Sequence, residues 1–170
     1  MKSEGRVTDT DEDRTTAIGL ARYAYEYLEA AILVDNAIGE KPGFEFASPV
    51  PAYFLALHSI ELSLKAYLRH HGVTARELRS KKFGHDLRAC YRKAKEFGLC
   101  DHFTMRSDDM RAMLMLIDMN ADHALRYIRT GEKCIPTWAI VEPLAVRLHQ
   151  AISPHVGYDK TFDTFYPAIS

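Results

Sequence analysis

The stretch from Pro51 to Leu68, PAYFLALHSIELSLKAYL, sets an ionisable stripe into a helix of core-grade hydropathy, and this most limits what the chain can fold into. At about 100° per residue, His58, Glu61 and Lys65 fall within about 60° of one another, while Phe54, Leu57, Ile60, Leu64 and Leu68 spread over the adjoining face. Desolvating an unpaired charge is costly, so these three groups must either satisfy one another or line a cleft that receives something polar.

The rest of the chain reads as helices separated by strong stop signals. Residues 1–13 are polar and aperiodic and read as a disordered tail. A first helix is expected from near Arg14 to Ile38, with Ile18, Tyr25, Leu28, Ile32 and Val34 at helical spacing and Gly39 closing it. Lys41 to Pro51 is a proline-rich crossing loop whose Phe44 and Phe46 are expected to cap one end of the core. The second helix should run from Ala52 to His71 and stop at Gly72. Its small residues, Ala52, Ala56, Ser59, Ser63 and Ala66, suit close approach of a helix from this chain or from a second copy. Thr74 is an N-cap candidate for a short helical turn. A third helix, capped by Asp86 or His85, should turn Leu87, Cys90, Tyr91, Ala94 and Phe97 inward and close at Gly98.

Ser107, Asp108 and Asp109 open a fourth helix with acid at its positive dipole end. Met110, Met113, Leu114, Ile117 and Met119 read as its core face, and it is expected to continue to Tyr127 or Ile128. A last helix from near Pro136 to Ile152 carries Pro143 as a kink or as its first turn. Residues 154–170 read as a tail packing on the bundle or on a partner. No segment alternates with period two, so the expected fold is all-α, a single-domain up-and-down bundle of about five helices over residues 14–153.

Composition excludes more than it suggests. The 170 residues suffice for one domain with its own core, and 22 basic against 23 acidic residues leave no global field for nucleic acid. Any such role would need a local patch. Cys90, Cys100 and Cys134 are odd in number and lack C-x-x-C spacing, as befits reduced thiols in the cytoplasm. The acidic N-terminus does not resemble a signal peptide, and no run is long and apolar enough to span a membrane. Phosphate-binding glycine loops, the G-x-S-x-G elbow and H-E-x-x-H are all missing. His70-His71 and Cys100-Asp101-His102 each lack the second pair of ligands for a closed metal site, so no metal and no cofactor are expected.

Two constellations carry possible chemistry. In the first, His58, Glu61 and Lys65 either form an internal network or present Glu61 to a basic residue of another helix, Arg126 being the candidate, held ready for a phosphate. In the second, Arg79, Lys81 and Lys82 lie just before Gly84-His85-Asp86. They suit gripping a phosphate while His85 moves protons at a 2′-hydroxyl or leaving oxygen, unless His85 merely caps the helix.

The pattern FLALHSIELSLKAYL, with Gly72, then Gly84-His85-Asp86-Leu87 and a later Leu125-Arg126-Tyr127, resembles the HEPN superfamily, the higher eukaryote and prokaryote nucleotide-binding domains. The resemblance spans Pro51 to Tyr127. It implies a helical bundle, commonly a homodimer, that binds RNA or a nucleotide. Many members are metal-independent ribonucleases of stress or defence systems, with an arginine four to six residues before a histidine. Arg79 and His85 meet that spacing and would carry cleavage, with His58, Glu61, Lys65, Lys82, Asp86, Arg126 and Tyr127 lining the groove. Other members are non-catalytic partners of nucleotidyltransferases, and that reading stays open.

Overall fold

Three alanines and one leucine form the inner face of the first helix. In the computed structural model, which describes residues 14–44, 47–121 and 134–162, α1 covers Ala17–Ile38 and buries Ala21, Ala24, Leu28 and Ala31. Ile18, expected in the core, is 46% exposed. The helix starts later than Arg14 because Thr16, in extended conformation, caps it by accepting from the Gly19 amide at 3.1 Å.

The alanine face meets the small-residue face of α2, Val50–His70, and this is the most extensive helix pairing among the described residues. Small side chains on both helices let the backbones approach, and the Ser59 hydroxyl donates to the Ala24 carbonyl across the interface at 2.7 Å. The small stripe of α2 therefore serves a helix of this chain. Pro51 lies in the first turn of α2, where its missing N–H is not needed, and Gly72 follows the helix at a φ of 87°.

Short elements follow. α3, Ala75–Arg79, is opened by a reciprocal capping box between Thr74 and Glu77. α4, Leu87–Glu96, is capped by Asp86, whose carboxylate accepts from the Ala89 amide at 2.9 Å. A 3₁₀ turn, Leu99–Asp101, leads to α5, Ser107–Met119. α6, Trp138–Ile152, holds Pro143 inside the helix, beyond its first turn, and ends in a 3₁₀ turn, Ser153–Val156. Among the described residues there is no strand, and the six α-helices share one hydrophobic core.

α2 runs through the centre of that core. Tyr53 and Tyr67 are buried, and their hydroxyls donate to the carbonyls of Pro136 at 3.0 Å and Phe97 at 3.1 Å. On α5, Met113, Leu116 and Met119 are buried, whereas Leu114 is only partly so, a shift of the core face around the helix. On the same buried face the Asp109 carboxylate accepts from both the Arg106 amide and Arg147 of α6. The helix expected to reach Tyr127 or Ile128 stops at Met119, with Asn120 as its C-cap. Phe44 is half-buried but does not join the core, and Phe46 lies outside the described residues. The described part of the tail packs on the bundle, with Tyr158 and Phe162 against the ring of Tyr25.

Candidate functional site

Glu61 is the pivot of the site. On α2 it is only 7% exposed, and its two carboxylate oxygens face different partners. Oε1 accepts from Lys65 Nζ at 2.6 Å, one helical turn on. Oε2 faces His85 Nδ1 at 3.6 Å and His58 Nδ1 at 4.0 Å. The pair with Lys65 is shielded, with side-chain exposures of 11% and 9%, and so differs from a solvated surface pair. Removing one partner of a shielded pair typically costs about 3–5 kcal/mol, because the other is left buried and uncompensated.

Lys65 also donates to the Gly84 carbonyl at 2.6 Å, which fastens the loop after α3 to the centre of the bundle. Two further contacts hold that loop. Phe83 is buried in the core, and its carbonyl accepts from the Cys90 thiol at 3.4 Å. Burial pushes that thiol up to about 12, so Cys90 is a packing group with no nucleophilic role near neutrality. The Gly84 amide donates to the Ser80 carbonyl at 2.7 Å, and a Cβ on Gly84 would come within 3.0 Å of the same oxygen. A side chain there would press on that carbonyl, so the turn is tight at Gly84.

With Asp86 acting as the helix cap, His85 is not the cap. Its side chain is 63% exposed, at the rim of an open groove of about 690 Å³. One wall of the groove is the loop, with Arg79, Ser80, Lys81 and His85. The other is Arg88 of α4 with Ile117 and Asp118 from the last turn of α5. The contact with Glu61 engages the Nδ1 side of the His85 ring. Arginine and lysine lining the same groove suit a phosphate, and an imidazole at its rim suits proton transfer.

The structure thus brings His58, Glu61, Lys65, Arg79, His85 and Asp86 to one place. Lys82 turns away from the groove, with Nζ 5.0 Å over the Phe83 ring, and Lys81 lines it instead. His58 faces α1, with its ring edge-on to Tyr27 at 4.5 Å. Arg126 and Tyr127 lie outside the described residues. Arg88, Ile117 and Asp118 were not singled out in the sequence as groove residues. No local spacing marks them, because their meeting depends on how α4 and α5 pack.

Among the described residues no three His, Cys, Asp or Glu side chains form a metal-ligand set, and no helix is long and apolar enough to cross a membrane. No family model, curated protein or solved structure matches the chain. Fold and site together define an all-helical bundle with a cationic groove, one rim of which is an imidazole paired to a buried carboxylate.

Proposed function

We propose that the chain is an HEPN-like domain that binds RNA or a nucleotide in this groove and cleaves RNA without a metal. The observation that carries the reading is the array Lys65–Glu61–His85, held against a groove lined by Arg79, Lys81 and Arg88. Arg79 and Lys81 hold a phosphate. His85 Nε2 takes the proton of the neighbouring 2′-hydroxyl, whose oxygen attacks phosphorus. The bond to the 5′-oxygen breaks, and that oxygen takes a proton from solvent, leaving a 2′,3′-cyclic phosphate and a 5′-hydroxyl. In this reading the protein is cytoplasmic and works as a homodimer in a stress or defence role.

Incubation of the protein with a mixed RNA pool in EDTA tests it. Cleavage is expected from the native chain and not from Arg79→Ala/His85→Ala of matched thermal stability. Cutting that persists in His85→Ala alone would overturn the assignment of the base. A second reading, a non-catalytic module that partners a nucleotidyltransferase, is favoured by the nearly balanced charge of 22 basic and 23 acidic residues, since phosphate-backbone binders usually carry a net basic surface. Absence of cleavage and of salt-dependent RNA binding would select it.

A further inference from the structure

A groove that serves only phosphate has no use for an accessible carboxylate, yet Asp118 stands in its wall. The other carboxylate of the lining, Asp86, is engaged by the cap of α4. Asp118 is not so engaged. Its ion pair with Arg88 Nη2 is long, at 3.7 Å, with side chains 77% and 53% exposed, so the pair is weak and both groups remain accessible to a ligand. Near neutral pH an exposed carboxylate repels phosphate and only accepts hydrogen bonds. It is suited to a part of the ligand that presents donors.

The two walls of the groove differ accordingly. The loop wall is cationic, with Arg79, Lys81 and His85, while the opposite wall offers the apolar side chain of Ile117 and the carboxylate of Asp118 from α5 and the planar guanidinium of Arg88 from α4. An apolar side chain and a guanidinium plane are the surfaces on which a nucleobase stacks. The volume, about 690 Å³, lies in the range of small-ligand sites. Among the four bases, guanine alone presents two adjacent donors, N1–H and the N2 amino group, on its Watson–Crick edge. Adenine and cytosine set one amino donor beside an acceptor nitrogen. Uracil flanks its single donor with two carbonyl oxygens, which a carboxylate repels.

We propose that the groove is selective for guanine: Asp118 accepts from N1–H and N2–H of the base, Arg88 and Ile117 flank its ring, and the phosphate lies against Arg79 and Lys81. This rests on the phosphate-binding reading above and adds the identity of the base to it.

Titration calorimetry of the full chain at low ionic strength with GMP, IMP, AMP, CMP, UMP and ribose 5-phosphate tests it. GMP is expected to bind about tenfold more tightly than AMP, the size of one good bidentate contact, with IMP between them because it lacks the N2 amino group. Asp118→Asn, on an exposed position, should remove the preference for GMP while leaving ribose 5-phosphate binding as strong or stronger. If all the nucleotides and ribose 5-phosphate bind equally, the base assignment is overturned while the phosphate reading survives. If GMP preference persists in Asp118→Asn, the role of Asp118 is overturned. If no phosphate compound binds, both readings fall together.

Discussion

Glu61 on α2 and His149 on α6 are both ionisable and both buried, and they are treated in opposite ways. Glu61 is met by Lys65 on one oxygen and faces two imidazoles with the other. His149 is completely buried, and among the described residues neither ring nitrogen closes a hydrogen bond. Its neighbours are the rings of Tyr25 on α1 and of Tyr158 and Phe162 in the tail, at 5.9, 6.0 and 5.7 Å. Desolvation lowers its pKa to about 4, an effect that the main chain at Lys160 offsets only in part. A carboxylate given a cation at salt-bridge distance organises a site. An imidazole packed among aromatic rings is held neutral by desolvation and acts as core.

The strongest way to break this contrast is to take the partner from Glu61. Lys65→Met should destabilise the protein by about 3–5 kcal/mol in urea denaturation, through the stranded carboxylate. Glu61→Gln/Lys65→Met should recover most of that loss. A Lys65→Met variant as stable as the native chain would mean that the pair does not hold the loop.

His149 should show itself through pH. Its folded-state pKa of about 4 lies below the ordinary value of 6.5, so the unfolded chain takes up the proton first. The stability contributed by the neutral ring is complete above pH 6.5 and is lost as pH falls toward 4, by on the order of 3 kcal/mol. His71 and His155 are lowered in the same direction, chiefly by burial and then by neighbouring histidines, and add to the acid sensitivity. His149→Phe should flatten the pH dependence of the urea midpoint between pH 7 and 4 without lowering stability at pH 7. An unchanged slope would show that His149 is solvated or paired.

The smallest effect is expected at the edge of the groove. Asp86→Ala removes the cap of α4 and should cost about 1 kcal/mol by thermal denaturation. Because Lys65, Phe83 and Cys90 hold the loop independently, the position of His85 should survive, and phosphate binding should change less than twofold. A larger loss of binding would show that Asp86 itself meets the ligand.

Much of the fold was legible because its signals are local. Thr74 and Glu77 three residues apart, Asp86 before an apolar-periodic run, and glycines at positions 72 and 98 act within a single turn and read the same in the folded chain. On α1 the periodicity finds Leu28 but favours the exposed Ile18 over the three alanines that close packing on α2 selects. The end of α5 was misplaced because apolar spacing continued past Asn120, where the backbone turns into a C-cap. His149 drew no notice in sequence, for nothing in RLHQAI says that a tail will cover it.

By itself the sequence determined an all-helical chain, the order and most ends of its helices, and the shared face of His58, Glu61 and Lys65, because helical period and capping are set by neighbours a few residues apart. Only the tertiary structure decided that Glu61 faces His85, that Lys65 holds the Gly84 carbonyl 19 residues away, and that Asp109 meets Arg147 38 residues away. The wall formed by Arg88, Ile117 and Asp118 belongs with these. Such contacts join different elements, and their formation depends on how the whole core packs, which no local spacing records.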